Sequence, residues 1–249
     1  MVASLLLWFY AQVLRERVFL PRGFLKHGVL IGLLCAFQYL FLYWGLEFTD
    51  ASRAVIFVYT QPLWTLLLAH PFLHDERLGI SKVTGVIIAL AGLCLVFGSR
   101  STELGPYYWI GDLMEIATGF LWAATTIYVK RFIWSRPITH FQTLFAQLFF
   151  SIPLLVLASL LFERGLPVSF AKPVIAALFY QSALVAFASY LAWFWLLHRF
   201  QASRLAAFTF LAPIFGVILS AIFLHEQLTI FLGIGLVMVM SGIYLVNRR

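Results

Sequence analysis

The chain contains one passage twice, and this repetition constrains its fold more than any single residue does. Residues 43–62 read YWGLEFTDASRAVIFVYTQP, and residues 194–213 read FWLLHRFQASRLAAFTFLAP. An offset of 151 residues aligns Trp44 with Trp195, the ASR triplet at 51–53 with that at 202–204, and Pro62 with Pro213. After a slip of one residue, FLHDE at 72–76 meets FLHE at 223–226, and Gly85, Gly92 and Leu95 meet Gly235, Gly242 and Leu245. Self-similarity of this length predicts two copies of one structural unit, each burying against the other what it cannot bury alone.

The medium of that burial is set by composition. Apolar residues make up 63% of the chain and charged residues 11%, where a soluble domain carries roughly 25% charge. Apolar runs of membrane-spanning length recur with short polar gaps, near 1–14, 28–46, 53–72, 82–98, 108–129, 140–162, 173–197, 204–224 and 228–246. The pattern predicts an all-α, polytopic membrane protein. Cys35 and Cys94 fall inside helices as small packing residues, and no disulfide framework is implied.

The net charge of +7 follows the membrane rather than a nucleic acid. Threading the chain through the bilayer puts thirteen Lys and Arg on one side, among them Arg15, Arg17, Arg77, Lys82, Lys130, Arg199, Arg204 and Arg249. Arg53, Arg100, Arg164 and Lys172 fall on the other. This skew predicts that the thirteen-charge side, and with it the C-terminus, is cytoplasmic.

The two copies are unequal in length. The second begins with helices near 108–129 and 140–162 that have no full counterpart in the first, since Met1 aligns with Ile152. The first run, of 14 residues before Arg15, spans about 21 Å as a helix, short of a hydrocarbon core of about 30 Å. The expectation is therefore an inverted repeat of five-helix units: ten helices in the complete pattern, nine visible, the first of them truncated. The first repeat is residues 1–101, lacking its first helix and half of its second, and the second is residues 108–249. An odd number of spans per copy turns the second upside down, which puts the triplet at 51–53 outside and that at 202–204 inside. Inverted repeats of this kind serve alternating access.

These passages resemble the drug/metabolite transporter superfamily, in particular its ten-helix, EamA-like members. The likeness runs along the whole chain. It is strongest in LEFTDASRAVIFVYTQPLWTLLLAHPFLHDERL with Gly85 and Gly92, in SYLAWFWLLHRFQASRLAAFTFLAPIFGVILSAIFLHEQL with Gly235 and Gly242, and in GDLMEIATGFLWA with Trp122. The resemblance implies a bacterial inner-membrane exporter of metabolites, amino acids or drug-like compounds. The pattern departs from the family where Asp75 and His225 replace the usual glycine before Glu76 and Glu226.

Pro62 and Pro213 are the sharpest local signal. Each removes one intrahelical hydrogen bond, which frees the carbonyl of Val58 or Thr209. Each lies nine residues into its helix, about 14 Å deep. Interrupted helices at corresponding places in two halves point to a transporter's binding site; the plainer alternative is a packing kink satisfied by neighbours. Gln38, Tyr39, Tyr59, Gln61, Trp122, Gln181, Tyr190 and Trp193 share the mid-depth zone. As a set they suit an aromatic cavity with a few amides for a small amphipathic solute; singly, each also fits a helix–helix hydrogen bond. Glu115, inside a helix and one turn from Asp112, is a candidate proton carrier because intramembrane acids are rare and functional. Alternatively both acids reach interfacial water.

Other features read as structural. Ser52 and Ser203 are expected to cap the helices they precede, and Arg53 and Arg204 to snorkel to headgroups. Glu76 and Glu226 are expected to open the next helices. GVLIG at 28–32 allows close helix approach, and Trp8, Tyr107, Tyr108, Trp109, Trp134 and Tyr244 anchor at the interface. An intramembrane enzyme would need convergent catalytic groups. The chain has no HExxH, GxSxG, CxxC or nucleotide-binding glycine loop, and HEQLT at 225–229 ends in Thr229 where a zinc site needs His. No metal and no cofactor is expected. The sequence thus predicts a transporter or exporter of a small organic solute by alternating access, with lipid, the solute and protons as partners and no nucleic acid. The alternative is a non-transporting membrane partner or an inactive, shortened transporter.

Overall fold

In the computed structural model the nine apolar stretches correspond, among the described residues, to nine helical segments, several of them broken within the span. The structure describes residues 1–74, 76–98, 105–163, 171–224 and 230–248. Asp75, Arg100, Arg164, His225, Glu226, Thr229 and Arg249, singled out above, lie outside the described residues. The segments are α1 (Val2–Val13), α2 (Leu25–Phe48), α3 (Ala51–Val58) with α4 (Gln61–Phe72), α5 (Ile80–Phe97), α6 (Tyr108–Tyr128), α7 (His140–Phe162), α8 (Lys172–Phe179) with α9 (Tyr190–Arg199), α10 (Ala202–Phe208) with α11 (Leu211–Leu224), and α12 (Ile230–Asn247). No strand occurs among the described residues. Among the described residues, seven segments are long and apolar enough to cross a membrane. Of the other two, α1 has only 12 residues. Asp112, Glu115 and several tyrosines and tryptophans lower the hydropathy of α6.

The chain divides into two compact units. The first comprises residues 1–37 and 128–199. Here the glycines of GVLIG meet α7: a methyl group on Gly28 would lie 2.9 Å from the Phe150 ring, and one on Gly32 would lie 2.7 Å from the Phe150 backbone. Side-chain size is what separates helices, so this pair lets α2 and α7 touch. α7 opens with a capping box, Gln142 N–H donating to Thr139 Oγ1 at 3.3 Å and Thr139 N–H to Gln142 Oε1 at 3.0 Å. Trp134, expected at the interface, instead donates to Thr143 Oγ1 and lies edge-on to Phe194. Between α8 and α9, residues 180–189 form a π-helical stretch, a wider coil that often marks functional sites.

The second unit comprises residues 38–127 and 200–249. Its core gathers Leu66 of α4, Val86, Ala89 and Leu93 of α5, Phe210 and Ile214 at the start of α11, and Val239 and Ile243 of α12. The closest approach is between α5 and α12. A methyl on Gly85 would lie 2.7 Å from the Gly242 carbonyl oxygen, and one on Gly92 would lie 2.8 Å from that of Gly235. Rising numbers on α5 meet falling numbers on α12, so the two helices are antiparallel. The four glycines are the ones that the repeat aligns, so each copy lays its glycine face on the other copy's equivalent face. These two helices, which the repeat aligns, therefore run in opposite directions. Ser81 Oγ reinforces one end of this seam by donating to the Leu245 carbonyl at 2.7 Å.

Several local expectations are corrected here. Asp50, not Ser52, caps α3: its Oδ1 accepts from Ser52 N–H at 2.7 Å and from Arg53 N–H at 3.4 Å. Ser203 lies within α10, and the amides there go to Glu76. Glu76 accordingly serves α10 and not the next helix in sequence. Arg53 pairs with Asp112. Cys35 is buried and accepts from Gln147 at 3.5 Å, whereas Cys94 sits on an exposed face of α5.

Candidate functional site

α6 carries the organising stripe of the second unit. Gly111, Glu115, Gly119 and Trp122 recur at intervals of three and four and so share one helix face. At its N-terminal end, a methyl on Gly111 would lie 2.6 Å from the Gly45 carbonyl and 2.8 Å from Thr49 N. α6 thus presses on the last turns of α2. One turn further, Glu115 is fully buried, and a methyl on Gly45 would lie 2.5 Å from its Oε1. Neither Glu115 oxygen has a hydrogen-bond partner among the described residues. The Glu115 carboxyl is closed off from solvent in this structure.

Asp112 has the opposite fate. Arg53 meets both of its oxygens through Nε and Nη2, and Thr49 Oγ1 donates to it at 2.8 Å. The guanidinium lies 5.0 Å above the Tyr108 ring and 5.5 Å from that of Phe57. Bidentate pairing supplemented by a hydroxyl and ring faces holds both ions where a lone charge would be costly. Two acids one turn apart on α6 thus differ in role: one is neutralised by an arginine, the other stands alone.

The stripe then crosses the helix break. α3 ends at Val58 and α4 begins at Gln61; α10 ends at Phe208 and α11 begins at Leu211, equivalent places in the two copies. Pro62 is at the start of α4 and Pro213 is the third residue of α11, and both are buried. A threonine tightens each break. Thr60 Oγ1 donates to the Phe57 carbonyl at 2.6 Å and Thr209 Oγ1 to the Ala206 carbonyl at 2.7 Å. The carbonyl of Thr209, expected to be free, accepts from Ala212 N–H at 3.0 Å. That of Val58 faces α6, where a methyl on Gly119 would lie 2.7 Å from it. Only a residue without a side chain lets α6 approach the broken backbone this closely.

Around this crossing the side chains are aromatic and amide. Tyr59 and Trp122 meet edge-on at 6.5 Å, and Trp64 meets Phe120 edge-on at 5.6 Å. Gln61 is fully buried and its Nε2 donates to Thr65 Oγ1 at 2.9 Å, while Gln61 Oε1 and Trp64 Nε1 are buried with no hydrogen-bond partner among the described residues. Gln38 is buried, and its carbonyl accepts from Thr118 Oγ1 at 3.4 Å. Tyr39 stacks on Tyr43 at 6.1 Å. Buried polar atoms left unmatched are rare and ask for a reason; here they share α4 and α6 with the helix break.

Gln181, Tyr190 and Trp193 belong to the first unit. Gln181 lies in the π-helical stretch and is exposed, and the other two are half-buried on α9. That unit holds a cavity of about 590 Å³ lined by Tyr10, His140, Phe141, Phe187, Ala188, Leu191, Ala192 and Trp195. Tyr10 stands edge-on to Phe187 at 5.7 Å, and Arg199 covers Trp195 at 4.2 Å. None of these lining residues is in the set expected from sequence. In the second unit, Gly45, Gly111, Gly119 and Trp64 were likewise missed. Only Gly111 and Gly119 carried a findable signal, their spacing on the α6 face.

The model of the EamA-like transporter family matches residues 1–98 and 109–248. The chain belongs to that family. Among its relatives is an uncharacterized Bacillus subtilis transporter, YoaV, 23% identical over 93% of this chain and 78% of its own. A probable amino-acid metabolite efflux pump of Escherichia coli is 28% identical over 86% of this chain and 74% of its own. One solved crystal structure shares the fold, with a TM-score of 0.82 over 99% of this chain and 83% of the other at 21% identity. This EamA-like chain is a multi-pass membrane transporter by kind and not an enzyme.

Proposed function

We propose that this EamA-like chain exports a small organic solute, an amino acid or a drug-like amphiphile, by alternating access, and that Glu115 couples the movement to protons. The solute binds along the α6 stripe and the helix breaks, where Gln38, Tyr39, Tyr59, Gln61 and Trp122 are its contacts, and Gln181, Tyr190 and Trp193 are further candidates for solute contact. The repeats at 1–101 and 108–249 exchange conformations, and the C-terminus is cytoplasmic in a bacterial inner membrane. One observation supports the coupling above others: a fully buried carboxyl group with no hydrogen-bond partner among the described residues, next to Asp112, which accepts three hydrogen bonds from Arg53 and Thr49. An isolated buried charge is expensive, so the charge on Glu115 and its access to water are linked. That link is what a proton carrier requires. The efflux-pump relative supports the solute class and the direction.

The test is flux in inside-out vesicles, with a panel of amino acids and aromatic amphiphiles, across an imposed pH gradient. Glu115→Gln, which cannot ionise, is expected to abolish gradient-driven flux while leaving membrane insertion and solute exchange intact. Unchanged pH dependence in that variant would remove Glu115 from the mechanism.

A further inference from the structure

We propose that Glu76 is the positioning residue of a latch that holds the cytoplasmic ends of the two broken helices together and must open during each transport cycle. The inference rests on the alternating-access reading above. Both oxygens of Glu76 are engaged by backbone donors: Ala202 N–H at 2.6 Å and Ser203 N–H at 2.8 Å. The residue is buried, with 2% of its surface exposed. It follows α4 in the first copy, whereas the amides open α10 in the second. Lys82 adds a weaker tie, its Nζ donating to Ser203 Oγ at 3.4 Å.

The internal repeat supplies the comparison that makes this contact informative. At the equivalent place in the first copy, Asp50 caps its own helix from the preceding residue. In the second copy that place is Gln201, which gives α10 no side-chain cap. The capping of α10 is therefore delegated to a carboxylate 126 residues away. A helix end must have its first amides satisfied when buried. A local cap such as Asp50 travels with its helix and is indifferent to motion. A cap borrowed from another element makes burial of the helix end conditional on that element staying close. When the two part, water can solvate the carboxylate and the amides, so the open state is tolerated while a half-open, dry one is not. That is a two-position contact, and it lies on the segment that leads through the break at Thr209 to Pro213.

The experiment uses the full chain with Cys35 and Cys94 replaced by Ser, reconstituted with a single reporter. Ala206→Cys, fully buried one turn into α10, is labelled by an impermeant maleimide from the face carrying Arg77 and Lys82. Ala54→Cys, 4% exposed on α3, reports from the opposite face. Glu76→Ala is expected to raise Ala206→Cys labelling about fivefold or more and to lower Ala54→Cys labelling, with Glu76→Gln intermediate and serving if the alanine variant folds poorly. Adding Gln201→Asp restores a local cap like that of Asp50; it is expected to recover thermal stability while labelling stays high. Labelling within twofold of the parent in both Glu76 variants would overturn the latch, and so would full reversal of the labelling by Gln201→Asp, which would leave Glu76 a cap and nothing more. A rise at Ala206→Cys with no fall at Ala54→Cys keeps the latch and refutes the alternating-access reading beneath it.

Discussion

Adding one methyl group to the α5–α12 seam should weaken the protein, and adding two facing ones should weaken it by less than their sum. A methyl on Gly85 would lie 2.7 Å from the Gly242 carbonyl oxygen, 2.9 Å from Val246 Cγ2 and 3.0 Å from Leu245 Cβ. Ordinary contact starts near 3.4 Å, so Gly85→Ala must part the helices locally by about 0.7 Å, the difference between those distances. Overpacking on this scale costs about 1–3 kcal/mol. The gain in helix propensity, about 1 kcal/mol in water, offsets only part of it. The methyl meets backbone, which cannot give way as the end of a flexible side chain does, so the upper part of that range applies and a net loss of about 1–2 kcal/mol is expected for Gly85→Ala and for Gly242→Ala. Together they widen the same gap, so the second methyl enters space already opened by the first. The double variant should lose about 1 kcal/mol less than the sum, within the range of coupling between residues in contact. Gly233→Ala is the control, on the same α12 with nothing within 4 Å of the added methyl, and should range from neutral to about 1 kcal/mol more stable than the parent. Reversible unfolding in mixed micelles, followed by tryptophan fluorescence, gives each value. If Gly85→Ala were no less stable than Gly233→Ala, or the pair strictly additive, the account of this seam would be wrong.

Two further outcomes follow from the site. Asp112→Asn leaves the Arg53 guanidinium without its counter-charge; because Arg53 is 34% exposed, water recovers part of the loss and about 1–3 kcal/mol is expected. The same unfolding assay should show partial recovery in Arg53→Asp with Asp112→Arg, and no recovery would assign the loss to packing instead. Replacing Tyr39 and Tyr190 by Phe or Leu should change which solutes compete for flux while surface expression is retained. If selectivity survives both changes together, the solute binds elsewhere, and the aromatic cavity around Tyr10 and Phe187 is then the place to mutate.

The sequence made plain whatever depends on period and repetition. Runs of apolar residues placed the nine helical segments within a few residues of their ends, because in lipid the backbone must satisfy itself and only length and hydropathy matter. Duplicated prolines marked the two breaks because a missing N–H acts locally. What was not legible is pairing across long separations. Nothing around Glu76 says that its partners are the amides of Ala202 and Ser203, and nothing in RAVIF says that Arg53 will find Asp112. The cap of α3 was readable and was misassigned: in DASR both Asp50 and Ser52 are good capping types, and the extended backbone at Asp50, with φ −85° and ψ 158°, decides between them. The isolation of Glu115 was invisible for a different reason. It depends on Gly45 bringing another helix across the carboxyl group, which is a property of packing and not of pattern.

The glycine seam has a consequence for the ancestry of such chains. A surface that fits a rotated image of itself needs no covalent link to find its mate: two separate molecules of the single copy, inserted in opposite orientations, could have made the same embrace before fusion joined them. Once fused, the halves are free to diverge wherever they do not touch, as Asp50 and Gln201 have, but a change along the shared line is felt by both. Drift should therefore be slowest at Gly85, Gly92, Gly235 and Gly242, where each half is the other's mould.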